Sequence, residues 1–314
     1  MDLDVIIPTY NRHASLERTL VSFLNMPVPA IHSLSVTVAD NNSTDATRET
    51  VDRIAPAFQG RLRYLAATRG QGTSFARNAG ILATSSELVG FIDDDEEVDT
   101  GWAETVFAAF ADATVDYIGG PYAPVWEAEP PAWVNHPNTR TGLGWADYGP
   151  VARPYEDDGF DAHALGGNTV MRRSCLERVG FYSEELGGRV GNRLGGEDTD
   201  MHQRLKAAGC HGMYLPNLVV HHHIPASRLT KRYMRRWAFW TSVSVSRLML
   251  QHPQAGPYWF RLPRWMYGQL LRCPFEMLTA LRAGDPAGIF NHELTLWRFA
   301  GVFHGTHFFR WRQG

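Results

Sequence analysis

The 314-residue chain is poor in cysteine and has no long apolar run. Its three cysteines, Cys175, Cys210 and Cys273, lie far apart and form no CxxC pair, which argues against a disulfide framework or a structural zinc site. A reducing compartment fits. No uninterrupted apolar stretch reaches the roughly 18 residues that a membrane-spanning helix needs. The first residues, MDLDVIIPTY, lack a basic segment followed by a long apolar one, so no secretory signal is read there. The expected location is the cytosol, or at most the inner face of the cell membrane. Internal repeats and low-complexity segments are missing too. With 44% apolar and 20% charged residues, the composition is that of an ordinary globular protein and excludes a disordered or fibrous chain.

Charge is unevenly spread. From Ala226 to Gly314 there are 13 Arg and Lys against 3 Asp and Glu, a balance of +10, which leaves −13 on the preceding residues of a chain whose net charge is −3. An acidic body with a basic tail points to two surfaces with different partners. The tail also holds six of the ten tryptophans: Trp237, Trp240, Trp259, Trp265, Trp297 and Trp311.

Hydrophobic periodicity gives the architecture of the body. Val5 to Ile7, Val36 to Ala39, Leu62 to Ala66, Leu88 to Ile92 and Val115 to Ile118 read as strands. Between them, Ser15 to Asn25, Thr44 to Ile54, Ser74 to Ala83 and Gly101 to Phe110 read as helices. This alternation predicts an α/β fold with a mostly parallel sheet flanked by helices. Ligands of such sheets bind beyond the carboxyl ends of the strands. Polar clusters sit at those ends: Thr9 to Arg12, Asp40 to Asp45 and Asp93 to Asp95. Pro121 to Asp161 loses periodicity and reads as a long functional loop region. Leu165 to Arg172 resumes as a strand, Gly195 to Leu205 opens a helix, and Met213 to His223 is a final strand or strand pair with Pro216 inside. Beyond Pro225, Leu229 to Leu250 and Leu262 to Leu281 are helical. The expected division is residues 1–225 as the α/β domain and 226–314 as a helical, basic, Trp-rich extension.

Several constellations carry chemistry. Asp93-Asp94-Asp95 ends an apolar strand, and three adjacent carboxylates repel unless a cation or solvent compensates. Hard oxygen ligands suit Mg²⁺ or Mn²⁺ shared with phosphates, whereas a solvated acidic turn is the plainer alternative. Asp40 can accept from a base N–H or a ribose hydroxyl, or can cap the next helix. Glu197 and Asp198 follow Gly195-Gly196 at a helix start, which suits a general base and equally suits a cap. In His221-His222-His223, strand alternation sends His222 to one face and its neighbours to the other. One of them is a candidate metal ligand, against the alternative of a buried structural histidine.

Taken in order, IIPTYNR (6–12), VADNNSTD (38–45), ARNAGI (76–81), FIDDDEEV (91–98), GGNTVMRR (166–173), GGEDTDMHQRL (195–205) and YLPNLVVHHH (214–223) resemble a family 2 glycosyltransferase of the GT-A, Rossmann-like fold. The likeness covers about residues 3 to 225. It implies transfer of a sugar from a nucleotide-diphosphate donor, expected to be a UDP-sugar, to an acceptor hydroxyl with inversion. Thr9 and Asp40 match residues that hold the nucleoside, and Pro8, Tyr10, Arg12 and Asp94 belong to the same motifs of the nucleotide site. Arg77 matches a basic residue near the phosphates. Asp93 and Asp95 match the two acids of a DxD motif, with Asp95 on the metal. Asp198 matches the catalytic base, Glu197 the acceptor side, and His222 a C-terminal metal-binding histidine.

The implied chemistry is coherent. A divalent ion, Mn²⁺ or Mg²⁺, stabilises the departing diphosphate, and a carboxylate deprotonates the acceptor. Asp40-Asn41-Asn42 departs from the Asp-Asp-Gly of many members, which bears on nucleotide preference. Tyr233 to Trp237 keeps only the Arg-Trp part of the motif found in processive synthases, so a single addition is expected. Two other functions compete. A nucleotidyltransferase needs a Gly-rich phosphate loop after the first strand, and IIPTYNR is not one. An inactive nucleotide- or sugar-binding subunit fits poorly with Asp93, Asp95 and Asp198 all present. The expected acceptor is a glycan or lipid-linked glycan of polysaccharide or glycoconjugate biosynthesis. Arg beside Trp in the tail suggests peripheral membrane contact, with core packing or a homodimer contact as the alternative. Nucleic acid is not expected, because the acidic body repels it.

Overall fold

The computed structural model describes residues 1–188, 194–251 and 256–309. Through the first 110 residues, strands and helices alternate: β1 (Asp2–Thr9), α1 (His13–Asn25), β2 (Ser33–Asp40), α2 (Thr47–Ile54), β3 (Leu62–Ala66), α3 (Thr73–Ala83), β4 (Leu88–Ile92), β5 (Glu96–Val98) and α4 (Trp102–Phe110). There follow β6 (Tyr117–Gly119), β7 (Tyr122–Trp126), α5 (Pro137–Arg140), β8 (Arg153–Pro154), β9 (Asn168–Arg172), α6 (Arg173–Val179), α7 (Glu197–Ala207), β10 (Gly212–Tyr214) and β11 (Val220–Ile224). The C-terminal part holds α8 (Lys231–Gln251), the short strands β12 (Tyr258–Trp259) and β13 (Leu262–Pro263), α9 (Arg264–Arg282) and α10 (Pro286–His307).

The main sheet has the strand order β3-β2-β1-β4-β9-β6-β10-β8. The half built by the βα alternation, β3-β2-β1-β4, is parallel throughout. β9 then runs antiparallel to both β4 and β6, so the second half is mixed. Strand β1 is apolar without alternation because helices cover both of its faces. Val5 and Ile7 join one cluster with Leu16, Leu20, Val51 and Phe107. Ile6, between them, joins a second cluster with Ala76, Ile81, Leu176 and Leu205. The one-residue switch of faces is the strand period of two.

The chain divides into two compact units. The first is Met1–Pro124, Ala146–Val190 and Glu197–His223; the second is Val125–Trp145, Gly191–Gly196 and Ile224–Gly314. The aperiodic stretch from Pro121 is therefore not a single loop. Part of it, around the buried Trp133, Val134 and Leu143, forms the core of the second unit with Met234, Ala238, Phe290 and Leu294. Sequence periodicity missed this because those apolar residues lie on short 3-10 turns, where neither the helix nor the strand period holds. It also missed α10. That helix runs close to α8: a Cβ on Gly301 would lie 2.2 Å from the Phe239 carbonyl oxygen, and one on Gly305 2.1 Å from Ser246 Oγ. The expected strand pair around Pro216 resolves into β10 and β11. Among the described residues, no helix is long and apolar enough to cross a membrane.

Candidate active site

The carboxyl ends of β1, β2 and β4 lie together, as the parallel register requires, with Thr9 opposite Asp40. Beyond β4 the chain reverses through Asp93 to Asp95 into β5, and this turn collects the charge. Thr9 Oγ1 donates to Asp94 Oδ2 at 2.7 Å. Arg12 Nη1 lies 2.9 Å from both Asp94 Oδ1 and Asp95 Oδ2. Asp94 is buried, and burial pushes its carboxyl up to about 6 even though Arg12 pulls the other way. Glu96, the first residue of β5, turns inward, where its Oε2 accepts the Asp93 amide at 2.9 Å. Burial, reinforced by Asp93 and Asp95, holds the Glu96 carboxyl well above the ordinary range.

Arg77 of α3 organises a second group. Its side chain is 2% exposed, and Nη1 donates to Asp198 Oδ1 at 2.8 Å while Nη2 donates to Asp93 Oδ1 at 3.0 Å. Glu197 Oε1 stands 3.6 Å from the same Nη1, and the guanidinium lies 5.1 Å from the Tyr182 ring centroid. Burial works against the Arg77 charge, but Asp198 and Asp93 outweigh it and hold the cation. Glu197 is affected in the opposite sense. Burial, then its neighbour Asp198, pushes its carboxyl up to about 8. Both acids begin α7, where the helix dipole favours negative charge.

Gly166 and Gly167 make this crowding feasible. A Cβ on Gly166 would stand 2.1 Å from Asp198 Oδ1 and 2.5 Å from Arg77 Nη1. One on Gly167 would stand 2.5 Å from Glu96 Oε1 and 2.9 Å from Asp93 Oδ2. This pair, just ahead of β9, is thus the wall against which the charged cluster packs.

At the end of β2, Asp40 is buried. It accepts the Ser43 amide at 2.9 Å on Oδ1 and the Tyr64 hydroxyl at 2.6 Å on Oδ2. Asn41 is engaged elsewhere. Its Nδ2 donates to the Ala67 and Gly70 carbonyls, and its Oδ1 accepts the Gly72 amide at 2.6 Å. That amide binding fixes the loop leading into α3. Pro8 is buried inside β1 opposite Ala39, whereas Tyr10 is 37% exposed just past the strand. Asn11 and Asn42 take up positive φ there, which asparagine tolerates better than most residues.

Of the three histidines on β11, His222 faces the acidic turn, opposite Glu96 in the register and with Nε2 3.6 Å from Asp95 Oδ1. His221 pairs with Asp99 and His223 with Glu97. Asp93, Asp95 and Glu96 each offer a carboxylate oxygen within 4.8 Å of the others. Six carboxyl groups, Asp93 to Glu96 with Glu197 and Asp198, thus face two guanidinium groups. Among the described residues, this oxygen-rich set fits a hard divalent cation. Sequence reasoning gave Glu96 no role of its own, read Asn41 only as a departure from a motif, and missed Tyr64 and Tyr182. The β-alternation from Val98 back to Glu96 was the available sign that Glu96 points inward.

All three cysteines are free thiols. Cys175 and Cys210, far apart in the chain, are brought to an Sγ–Sγ distance of 2.8 Å because α6 and the turn before β10 pack side by side. Trp311 lies outside the described residues.

A mainly parallel sheet with an acidic turn beyond its central strand defines the GT-A class, and solved structures agree. Over 97% of this chain and 87% of the other, it superposes with a TM-score of 0.63 and 18% identity on a mannosyltransferase, PcManGT from Pyrobaculum calidifontis, in complex with GDP-Man and Mn²⁺. S. aureus TarS residues 1-349 in complex with UDP gives a TM-score of 0.53 at 18% identity, covering 99% and 93% of the two chains. Glycosyl transferase family 2 matches residues 4–180, more than half of the chain, and the protein belongs to that family. It is 25% identical over 253 residues to the succinoglycan biosynthesis protein ExoM of Rhizobium meliloti, covering 80% of this chain and 76% of that protein. A pre-mycofactocin glycosyltransferase of Mycobacterium tuberculosis is 27% identical over 253 residues; the chain spans 48% of its length. The protein is therefore a glycosyltransferase.

Proposed function

We propose that the chain moves a sugar from a nucleoside-diphosphate sugar to an acceptor hydroxyl with inversion at the anomeric carbon. The observation that carries this reading is Arg77. One buried guanidinium bridges Asp93 on the metal-candidate turn, at 3.0 Å, and Asp198, at 2.8 Å. Asp93, Asp95, Glu96 and His222 are the residues that would hold Mn²⁺ or Mg²⁺. Such an ion stabilises the negative charge of a departing diphosphate. Arg12 and Arg77 add fixed positive charge beside it. Thr9, Asp40 and Tyr64 line the nucleoside end, with Pro8, Tyr10 and Asp94 around it.

Asp198 takes the base role in preference to Glu197. With its carboxyl pushed up to about 8, Glu197 keeps its proton at neutral pH and can donate to an acceptor hydroxyl but not deprotonate it. Asp198 is also the more accessible, its side chain 25% exposed against 11%. Released UDP or GDP from a panel of nucleotide-sugars, measured with Mn²⁺ and with excess chelator, tests the reading. Turnover that survives the chelator would refute the metal assignment, and a product of unchanged anomeric configuration would refute inversion. UDP is the expected nucleotide, in line with TarS, whose structures include UDP and UDP-GlcNAc complexes.

The acceptor reading is a glycan or lipid-linked glycan. It draws on the succinoglycan protein and on a Campylobacter jejuni glucosyltransferase of an undecaprenol-linked glycan, 34% identical over 104 residues, a third of each chain. On this reading residues 1–225 are catalytic and 226–314 meet the inner face of the cell membrane. The outward side of α9 supports it: Leu271 is 72% exposed, Phe275 74% and Leu281 63%. Arg264, Arg272 and Arg282 flank that apolar stripe. Hydrocarbon edged by arginine suits an anionic bilayer interface. The full chain should pellet with anionic vesicles and release at high salt. A salt-stable dimer with no vesicle binding would assign the stripe to a second copy instead.

A further inference from the structure

The strongest feature outside the site is the thiol pair. Cys175 lies in α6 and Cys210 just before β10; both are buried, and neither takes part in the proposed transfer. Their sulfurs are 2.8 Å apart, and a disulfide bond of about 2.05 Å is within reach of small side-chain rotations. Arg178, later in α6, caps the pair. Its Nη2 lies 2.8 Å from Cys210 Sγ, 3.9 Å from Cys175 Sγ and 3.2 Å from Asp116 Oδ2. The Arg178 side chain is 49% exposed, so swinging it aside opens a route from solvent to the Cys210 sulfur.

A metal is the obvious competitor, because Asp116, Cys175 and Cys210 converge within 4.8 Å. The donor set argues against it. Two sulfurs and one carboxylate fall short of the four ligands of structural zinc, and the guanidinium already supplies the compensating cation. Burial, together with the contact from Cys210, pushes the Cys175 thiol up to about 12, so a free thiolate is not what the site favours there.

We propose that Cys175 and Cys210 form a redox-active dithiol that closes to an internal disulfide by exchange with a low-molecular-weight disulfide. Cys210 attacks one sulfur of the oxidant and expels one thiol. Cys175 then attacks the mixed disulfide at Cys210 and expels the second. Two protein S–H bonds and one oxidant S–S bond are lost; one protein S–S bond and two small-molecule thiols form. The two electrons go to the oxidant and the two protons leave with the thiols. The bond would tie α6 to the end of α7, the helix whose first turn carries Glu197 and Asp198. It closes a loop across a sequence separation of 35 residues, which stabilises by restricting the unfolded chain.

The test uses the full chain, incubated with oxidised glutathione, then denatured and alkylated. Peptide mapping should find Cys175 joined to Cys210 and Cys273 alkylated. The oxidised protein should melt at least about 5 °C above the reduced one. Cys273→Ser should leave both results unchanged. Cys210→Ser should abolish the cross-link, and if it does not fold, the wild-type peptide map alone decides. Three alkylated cysteines after oxidation, or glutathione retained on Cys210 without closure, would overturn the proposal. So would one zinc per chain in the purified protein, lost in Cys175→Ala.

Discussion

The two units depart from ordinary burial in opposite directions. In the first, Arg77, Asp94, Glu96 and Glu197 are buried, although charged side chains are rarely so enclosed. In the second, α9 turns Leu271, Phe275 and Leu281 outward, although leucine and phenylalanine prefer the core. Buried charge is tolerated where partners or a ligand compensate it. Exposed hydrocarbon is tolerated where another surface covers it. The proposed occupants are a cation with a diphosphate for the first and an anionic apolar interface for the second.

Breaking the first side of this comparison should have the largest effect. Asp198→Asn is expected to lower turnover by roughly 10²–10⁴-fold with little change in donor affinity, the signature of a lost general base. Steady-state kinetics beside donor titration checks this, and near-normal turnover would remove Asp198 from the role. Arg77→Met strands Asp93 and Asp198 beside a buried apolar chain. The stranded Asp93 and Asp198 side chains are 38% and 25% exposed, so the cost should fall below the roughly 3–5 kcal/mol of a fully buried pair, read as a fall in the denaturant midpoint. An unchanged midpoint would mean that water already compensates these carboxylates.

The second side gives a smaller, separable effect. Leu271→Ser with Phe275→Ser should weaken binding to anionic vesicles by about tenfold or more, given 1.5–3 kcal/mol for each large apolar side chain buried. Donor turnover on a water-soluble acceptor should not change. Equal vesicle binding by the double variant would place the contact elsewhere.

The smallest effect concerns pH. Burial, then Asp198, lifts the Glu197 carboxyl from an ordinary 4.5 to about 8, so the folded chain keeps a proton that the unfolded chain has released. The stability due to this group is complete below about pH 4.5 and is lost as pH rises towards 8. Glu197→Gln should flatten that part of the melting-temperature profile. A wild-type profile already flat from pH 5 to 8 would contradict the assignment.

What was legible in the sequence follows the same division. Strands β1 to β4 and helices α1 to α4 are spelled by runs and periods in the residues themselves, and Leu62–Ala66 and Leu88–Ile92 coincide with the expected segments. The strand-end clusters were legible because parallel topology must bring them to one edge. The antiparallel insertion of β9 was not, since pairing partners leave no mark on a five-residue strand. The inward turn of Glu96 and the carboxyl neighbours of Gly166 and Gly167 were hidden for a related reason. They depend on contacts between segments distant in the chain, such as Gly166 with Asp198 and Gly167 with Glu96. In the second unit, α9 was legible as the helical stretch from Leu262 to Leu281, whereas α10 was blurred because its apolar residues, Leu296, Trp297 and Phe303 among them, point outward as well as inward, which erases the amphipathic signal that defines a helix face.

The most direct test of the central claim is a calorimetric titration of nucleoside diphosphate into the full chain, with and without Mn²⁺, for the wild type and Asp95→Asn. If the acidic turn is a metal–diphosphate site, wild-type binding tightens at least about tenfold with the metal, and the variant loses that gain while keeping its fold. Equal wild-type affinity in the presence and absence of Mn²⁺, or a full metal effect in Asp95→Asn, would contradict the account.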